Sequence, residues 1–518
     1  MAHVLVAEKI AEAGLQLLRD AGHDVEVRLK LAPDELLEAV AETNAIIIRS
    51  STRITNEVVN AAPNLVAVGR AGVGLDNVDV PAATARGVMV INAPQSNVLS
   101  AAEHTMALLL AQARNVPQAH AALKEGRWER SKWTGVEVAD KVLGIVGLGR
   151  IGTLVAERAR AFGMELLAFD PFVPEEKARA LNVQIVGLDE LVVRSDFMTL
   201  HLAKTPETIG LVNADLLAKA KPTLRVINVA RGGIINEADL AAAVANGTIA
   251  GASIDVFASE PTTESPLFDL ESVVVTPHLG ASTAEAQDKA GVTIAEQLEL
   301  ALAGDFVPFA VNVSATPAND TMRPFIPLCE ELGARFAALV KPLPQHVEVE
   351  FIGEIAQFDN QLASLSVVKG LLGAVGGDPV SYVNAFDVAK ERGVSIRTIS
   401  TPQAQDHVNV VAIAGGGHNV NGTVTSGSGS LRLVGIDGHS LDLPLAENTL
   451  VVRNSDRPGM IGHVTATLGE AGINIDDMAV GQSDAGPALM AIITDQPVLP
   501  DLIHSITEAD GIESAACL

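Results

Sequence analysis

A glycine-rich turn at residues 147–152 limits the possible folds of this chain more than any other segment. The apolar run 142–146 leads into Gly147-x-Gly149-x-x-Gly152, and the following ten residues have the composition of a helix. In this context the first glycine permits a tight turn, the second lets a pyrophosphate approach the backbone, and the third lets helix and strand pack closely. The N-terminus of the helix then offers free N–H groups to phosphates. The pattern predicts a dinucleotide-binding unit.

A carboxylate follows at the distance at which such a unit recognises a ribose. Asp170 ends the next apolar run, 165–169, and stands 23 residues after Gly147. A carboxylate in that place accepts hydrogen bonds from the adenosine ribose hydroxyls and repels a 2′-phosphate. The sequence therefore predicts NAD rather than NADP as the cofactor.

Length, charge and cysteine content restrict the class of protein. A chain of 518 residues is too long for one core, so roughly three domains are expected. The sequence has no apolar run of about 18 residues and no basic, apolar leader, which predicts a cytoplasmic protein without a membrane partner. The net charge of −27 disfavours nucleic acid as a partner. The two cysteines, Cys329 and Cys517, indicate neither a disulfide framework nor a metal site.

The order of apolar runs predicts a chain of successive α/β units. Residues 1–95 alternate short apolar runs with helical stretches, as in a parallel sheet covered by helices, and a second such series begins at residue 141. Long helices are predicted at 98–113, between the two units, and at 284–303, where the chain returns to the first unit. Residues 449–518 have the strand and helix order βαββαβ, which is ferredoxin-like. The predicted domains are 1–97 with 284–305 (discontinuous), 98–283, 306–446 and 447–518.

Three polar side chains come directly after predicted strands of the second unit. Arg231, Glu260 and His278 each follow the carboxyl end of a strand, and ligands of doubly wound sheets bind at that edge. His278 suits a general base for a hydroxyl proton, Glu260 can orient its imidazole, and Arg231 can hold a carboxylate by two hydrogen bonds. Each residue alone has a structural alternative: a turn, a solvated charge or a buried histidine. Their coincidence at one edge favours a catalytic set for hydride transfer.

The first unit offers a positively charged site of its own. Arg49 and Arg53 follow a predicted strand, and the segment from Arg70 to Gly74 offers backbone N–H groups suited to a carboxylate. Solvated arginines at a strand end are the alternative. The candidate substrate residues are Arg49, Ser50, Arg53, Arg70, Gly72, Val73 and Gly74.

These motifs together resemble the D-2-hydroxyacid dehydrogenase family. The resemblance is carried by GRAGVGLD at 69–76, NVARGGIINE at 228–237, DVFASEP at 255–261 and PHLGAS at 277–282. It covers nearly the whole chain. The fold it implies is α/β, with a discontinuous flavodoxin-like substrate domain, a Rossmann-type doubly wound cofactor domain, an α+β intervening domain and a C-terminal ferredoxin-like ACT regulatory domain.

The resemblance also implies an activity. A long-form member of this family oxidises 3-phospho-D-glycerate to 3-phosphooxypyruvate with NAD, the first step of L-serine biosynthesis, and His278 would be its acid/base. The alternatives are another D-2-hydroxyacid enzyme, such as a glyoxylate or hydroxypyruvate reductase, and a dinucleotide-sensing protein like the corepressor relatives. The implied cofactor contacts are Val73, Gly147, Gly149, Arg150, Ile151, Gly152, Asp170, Val229, Ala230, Asp255, Gly280 and Ala281.

The remaining expectations concern effectors and subunits. Asn454, Asp456 and Asn474 resemble the positions at which ACT domains take up an amino acid, which would be L-serine; a purely architectural tail is the alternative. The segment 128–133 lies where family dimers interlock, so a homo-oligomer, either dimer or tetramer, is expected. In the third unit Arg432 and His439 are candidate anion ligands, with surface charge as the preferred interpretation.

Overall fold

Four β-sheets form the framework of the protein. The structure, a computed structural model, describes residues 1–377, 379–404, 407–425, 427–481 and 487–518. Among the helices in these residues, none is long and apolar enough to cross a membrane.

The first sheet is parallel and has the strand order β2-β1-β3-β4-β5. That order is the flavodoxin-like one, as expected. Its central strand, β3, is buried along its whole length because helices cover both faces of the sheet. The elements are β1 His3–Val6, α1 Glu12–Asp20, β2 Asp24–Val27, α2 Pro33–Ala39, β3 Ala45–Ile48, α3 Asn56–Ala61, β4 Ala67–Arg70, α4 Val80–Ala85 and β5 Met89–Asn92.

The second sheet is also parallel, and its order is β12-β11-β10-β9-β6-β7-β8. The order in which strands are added to the sheet reverses between β6 and β9, which makes the C-terminal edge of that pair the expected dinucleotide crevice. The elements are α5 Val98–Arg114, α6 Val116–Lys124, β6 Val142–Val146, α7 Arg150–Ala161, β7 Glu165–Phe169, α8 Glu175–Ala180, β8 Gln184–Ile185, α9 Leu188–Arg194, β9 Phe197–Leu200, α10 Ala214–Leu217, β10 Arg225–Asn228, α11 Glu237–Ala245, β11 Gly251–Ile254 and β12 Val273–Val275.

The long helix α12, Ala284–Ala303, packs on the first sheet. Ile294 and Leu298 are fully buried in the same apolar core as β1, β3 and β4. The helix approaches α1 so closely that a Cβ added at Gly14 would lie 2.6 Å from the carbonyl oxygen of Gly291. The chain thus returns to its first unit, although the domain boundaries themselves stay a prediction.

A third sheet and three helices follow. Its order is β14-β13-β15-β16-β17-β18, with β13 and β14 parallel and the other pairs antiparallel. Helices α13 and α14 pack backbone to backbone, since a Cβ at Gly370 would lie 1.9 Å from the carbonyl oxygen of Glu330. The elements are α13 Phe325–Leu339, β13 His346–Gly353, a 3₁₀ turn Glu354–Gln357, α14 Gln361–Gly373, α15 Ala385–Glu391, β14 Ser395–Thr401, β15 Asn409–Gly415, β16 His418–Val424, β17 Leu431–Ile436 and β18 His439–Pro444.

The surface-charge interpretation of His439 is wrong. Only 5% of this residue is exposed, and its Nε2 lies 2.8 Å from the carbonyl oxygen of Pro487. Arg432, by contrast, pairs with Asp442 on the neighbouring strand.

The fourth sheet has the antiparallel order β20-β21-β19-β22. With two helices on one face, it confirms the predicted ferredoxin-like arrangement. The elements are β19 Thr449–Asn454, α16 Met460–Glu470, β20 Ile475–Gly481, β21 Ala488–Thr494, α17 Pro500–Thr507 and β22 Ile512–Cys517.

Candidate active site

A cleft of about 770 Å³ collects residues from the first and second sheets. This volume lies in the range of small-molecule sites, which is about 300–1,000 Å³. All seven candidate substrate residues and all three candidate catalytic residues line it. Its other walls are Ser51, Ala71, Asp76, Ser96, Asn97, Phe257, Pro261, Thr262, Phe268, Val275, Thr276, Pro277, Ala281, Ser282, Ala286, Gln287 and Ala290.

His278 and Glu260 form a direct pair at one wall of the cleft. The ring Nδ1 of His278 lies 2.5 Å from Oε2 of Glu260, and Oε1 of Glu260 accepts the backbone N–H of Phe257 at 2.9 Å. Partial burial pushes the pKa of Glu260 upward, but these two hydrogen bonds outweigh it and hold that pKa below its usual value. Glu260 is therefore ionised at neutral pH and engages Nδ1. Nε2 is the nitrogen left for a substrate hydroxyl.

The backbone that carries His278 is strained and tightly held. Its φ is 55°, in the left-handed region that costs a residue with a side chain about 1–3 kcal/mol. The N–H of His278 donates to the carbonyl oxygens of Asp255 at 2.8 Å and Thr276 at 3.1 Å. Such strain persists only where the surroundings impose it, which is typical of functional loops.

The buried carboxylate of Asp255 holds the backbone of the loop that carries His278. Its side chain is fully buried, and Oδ1 accepts the Thr276 hydroxyl at 2.6 Å and the Leu279 N–H at 2.7 Å. Oδ2 accepts the Gly280 N–H at 2.9 Å, and His104 Nε2 lies 3.2 Å from Oδ1. Burial alone would raise the pKa of Asp255, but these donors, His104 first, lower it. With one donor on Oδ2, the carboxylate keeps an acceptor site for the predicted contact with a nicotinamide carboxamide.

Arg231 is held in the turn after β10. Asn228 organises this turn, since its Oδ1 accepts the Ala230 N–H at 3.0 Å and its Nδ2 donates to the Arg231 carbonyl at 3.0 Å. A Cβ at Gly232 would lie 1.7 Å from the carbonyl oxygen of Phe257, so only glycine fits there. The guanidinium reaches the opposite lobe, because a Cβ at Gly74 would lie 3.2 Å from its Nη2. Arg231 thus spans the cleft.

Arg70 is a half-buried cation whose Nε is a buried, unused donor. Its Nη1 lies over Gly72, where a Cβ would come within 2.0 Å, and its Nε has no hydrogen-bond partner in the part of the chain that the structure describes. Burial and the nearby Arg231 lower the pKa of Arg70, while Asp76 and Glu8 oppose the shift. A guanidinium remains protonated despite such a shift. An unpaired buried donor of this kind favours an anionic ligand in the cleft.

The glycine-rich turn has the predicted conformation. Gly147 has a φ of 96°, and a Cβ at Gly152 would lie 2.2 Å from the carbonyl oxygen of Gly147. Gly149 has open space around its Cβ position, where α7 begins with Arg150. Asp170 accepts the N–H of Leu148 at 2.8 Å, which fixes the carboxylate beside the turn. These features fit a dinucleotide, and the individual contacts stay predictions, including those of Ile151, Val229, Ala230, Gly280, Ala281 and Val73.

The effector candidates lie around the start of α16 and β20. Asn454 is buried at the end of β19, and its Oδ1 has no hydrogen-bond partner among the described residues. Asp456 is exposed in the next turn, and exposed Asn474 donates its backbone N–H to Asp495 at 3.0 Å. The effector role of these residues stays a prediction.

Sequence reasoning missed several residues that line the cleft or support its wall. His104 on α5 contacts both Asp255 and Thr276, with its Nε2 3.2 Å from each oxygen. The available signal was a histidine inside a mostly apolar helix, a position where a buried partner is required. Asp76 and Gln287 also face the cleft. No group of three or more His, Cys, Asp and Glu side chains arranged for a metal occurs within residues 1–377 or the other described segments.

Family models match three successive parts of the chain. Residues 106–280 match the D-isomer specific 2-hydroxyacid dehydrogenase, NAD binding domain. Residues 321–437 match the D-3-phosphoglycerate dehydrogenase intervening domain, and residues 448–508 match the ACT domain. The first match includes the glycine-rich turn and all three candidate catalytic residues.

Individual proteins match over the full length. D-3-phosphoglycerate dehydrogenase from Mycobacterium tuberculosis is 46% identical over 516 residues, which cover 98% of this chain and 97% of that protein. The protein of the same name from Synechocystis is 40% identical and covers 99% and 94%. The crystal structure of the TT0316 protein from Thermus thermophilus has a TM-score of 0.56 at 34% identity and covers 60% of this chain and 99% of its own. With a preserved NAD-binding fold and full-length relatives of this identity, the chain belongs to the D-3-phosphoglycerate dehydrogenase family of D-isomer specific 2-hydroxyacid dehydrogenases.

Proposed function

We propose that this chain oxidises 3-phospho-D-glycerate to 3-phosphooxypyruvate with NAD. One observation carries the proposal: a single cleft joins the His278–Glu260 pair to four arginines, Arg49, Arg53, Arg70 and Arg231. A simple 2-hydroxy acid presents one carboxylate, whereas the phosphorylated substrate adds about two more negative charges. Four cations in a chain of net charge −27 fit the more highly charged substrate.

The chemistry follows from the positions of these side chains. Arg231 binds the substrate carboxylate together with the backbone N–H groups around Gly72, which presents the C2 hydroxyl to His278. Nε2 of His278 takes the hydroxyl proton as the C2–H bond breaks, and C2 becomes a ketone. Glu260 stabilises the imidazolium that forms, and the proton later leaves to solvent. Bound NAD supplies the acceptor for the hydride.

The phosphate would lie at the other end of the cleft. Arg49→Ala is expected to raise the KM for 3-phospho-D-glycerate by about 10- to 100-fold, since charge-assisted hydrogen bonds contribute about 1.5–3 kcal/mol. The value of kcat should change little because the phosphate is remote from the reacting carbon. Initial rates of NADH formation measure both constants.

A matched control removes an arginine that does not line the cleft. Arg19 pairs with Glu12 on α1, so Arg19→Ala changes the net charge equally and should leave KM as it is. An unchanged KM in Arg49→Ala would remove the phosphate-site assignment. Efficient turnover of unphosphorylated hydroxypyruvate with no turnover of the phosphorylated substrate would favour the reductase alternative. NADH binding without turnover of either substrate would favour the third alternative, a dinucleotide-sensing protein.

The ACT domain supports a regulatory proposal. The chain is inferred to bind L-serine near Asn454, Asp456 and Asn474, where a buried amide oxygen, a carboxylate and an exposed amide could receive an amino acid. L-Serine at millimolar concentration should lower the rate of NADH formation, and Asn474→Ala should weaken that response. An identical rate with and without serine would favour a purely architectural tail.

A homo-oligomer is part of the same proposal. Exposed apolar side chains concentrate after α5, where Val116 is 55%, Leu123 is 56% and Trp128 is 81% exposed. Surfaces of this kind commonly mark subunit contacts. Light scattering should therefore report a mass of two or four times that of the 53.8 kDa chain, and the mass of a single chain would contradict the proposal.

A further inference from the structure

We propose that Glu8 is a positioning residue for substrate phosphate binding, acting through the arginine loop, residues 49–53. The inference rests on the proposed function, because it assumes that Arg49 and Arg53 bind phosphate. Glu8 itself is half-buried and does not line the cleft. Its effect on the substrate must therefore pass through the loop.

The loop is held by one carboxylate oxygen. Oε1 of Glu8 accepts the backbone N–H groups of Arg49 at 2.9 Å, Ser51 at 3.0 Å and Thr52 at 2.8 Å. Three convergent N–H groups form an anion-binding concavity of the kind that otherwise receives a phosphate. In this chain an internal carboxylate fills it.

The opposite side of the loop is held by an amide. Nδ2 of Asn77 donates to the carbonyl oxygens of Arg49 at 2.8 Å and Thr52 at 2.5 Å. The backbone N–H of Ile54 donates in turn to the carbonyl of Asn77 at 2.9 Å. Three N–H groups and two carbonyl oxygens of the loop are thus engaged from its two sides. The charged groups that the loop presents to the cleft are the side chains of Arg49 and Arg53, beside the neutral Ser50 and Ser51.

With this arrangement, binding of the phosphate depends on the side chains of Arg49 and Arg53 being held in a fixed geometry. A bidentate guanidinium contact requires correct orientation as well as charge. In an enzyme site, a displacement of about 1 Å can lower the reaction rate by two orders of magnitude. The carboxylate of Glu8 is therefore expected to assist anion binding, although its own charge repels an anion.

The sign of the effect separates positioning from simple electrostatics. If Glu8 acted only as a charge, its removal beside Arg49 and Arg70 would strengthen anion binding and lower KM. If it positions the loop, Glu8→Ala should raise the KM for 3-phosphooxypyruvate by about tenfold while kcat stays within about twofold. The test is the reduction of 3-phosphooxypyruvate and of hydroxypyruvate by the full chain with NADH.

Conservative and independent variants complete the test. Glu8→Gln keeps an oxygen for the three N–H groups, so its KM should stay within about threefold of the wild type. Asn77→Ala releases the other side of the loop and should raise KM in the same direction as Glu8→Ala. Reduction of hydroxypyruvate, which has no phosphate, should be nearly unaffected in all three, whereas loss of folding would depress both substrates. Glu12→Ala removes an equal charge at an exposed position of α1 and serves as the control.

The outcomes distinguish this proposal from the proposed function. In an Arg49→Ala, Arg53→Ala background, Glu8→Ala should have no further effect on KM, because the side chains that it positions are gone. If the arginine variants raise KM but Glu8→Ala leaves it unchanged or lowers it, the positioning role is wrong and the phosphate site stands. If the arginine variants themselves leave KM unchanged, the phosphate site is wrong and the role of Glu8 falls with it.

Discussion

His278→Ala is expected to lower kcat by about 10³-fold while NADH still binds. Removal of a positioned general base typically costs about 10²–10⁴-fold. The side chain pairs with Glu260 and otherwise faces the cleft, so its removal leaves the Asp255 contacts that hold the loop backbone intact. Stopped-flow or steady-state NADH formation gives kcat, and fluorescence titration gives the NADH affinity.

The control for this variant is His504→Ala, since His504 lies on α17 with 78% of its side chain exposed. Loss of NADH binding in His278→Ala would instead indicate a structural histidine.

The pKa of Glu260 is held below its usual value of about 4.5, so this side chain becomes protonated only as the pH falls below that value. Glu260 should therefore add no inflection to the rate profile between about pH 6 and 9.

Arg231→Ala is expected to lower kcat/KM for 3-phospho-D-glycerate by about 10²–10³-fold. The guanidinium spans from the turn after β10 to Gly74, and a half-buried charged hydrogen bond to a carboxylate costs about 2–5 kcal/mol when one partner is truncated. Arg231→Lys should recover only part of this loss, because an ammonium cannot make two parallel hydrogen bonds. Steady-state kinetics at varied substrate concentration measures the change.

Arg179→Ala is the matched control, because Arg179 is an exposed residue of α8 that pairs with Glu175. A kcat/KM for Arg231→Ala within about threefold of the wild type would exclude a role in carboxylate binding. Full recovery of kcat/KM in Arg231→Lys would exclude the bidentate contact and leave only a requirement for positive charge.

The sequence was sufficient to predict the fold class because its signals are local. The glycine pattern at 147–152 needs only a strand before it and a helix after it, and both are present. Helix α14 does not show in the sequence pattern, because ten of its 13 residues are buried and it lacks the apolar periodicity of an amphipathic helix. Periodicity cannot identify a helix that is apolar on all sides.

The ends of the strands could not be predicted to the residue. The apolar pattern predicts that β10 runs through residue 230, but the strand stops at Asn228, since the side chain of Asn228 bonds the backbone of Ala230 and Arg231. The apolar pattern also predicts β11 over residues 251–257, but the strand stops at Ile254. The buried Asp255 that follows accepts a hydrogen bond from the backbone of the loop that carries His278. Side-chain capture of backbone groups competes with the sheet ladder and is invisible to a pattern of apolar residues.

Part of the candidate site could be predicted from the sequence, and part of it could not. Arg231, Glu260 and His278 were recognisable because all three follow strands that reach one edge of the sheet. His104 and Glu8 were not, because their partners are distant in the chain: 41 to 44 residues away for Glu8, and as many as 172 for His104. Such contacts depend on the packed tertiary structure.

The central claim is that the cleft recognises a phosphorylated 2-hydroxy acid, and the most direct measurement compares two substrates. NADH formation by the full chain should be followed at saturating NAD with 3-phospho-D-glycerate and with D-glycerate, which differ only in the phosphate. We predict a kcat/KM at least about 10²-fold higher for the phosphorylated substrate, because D-glycerate leaves Arg49 and Arg53 without their anion. Equal values, or a preference for D-glycerate, would contradict the account.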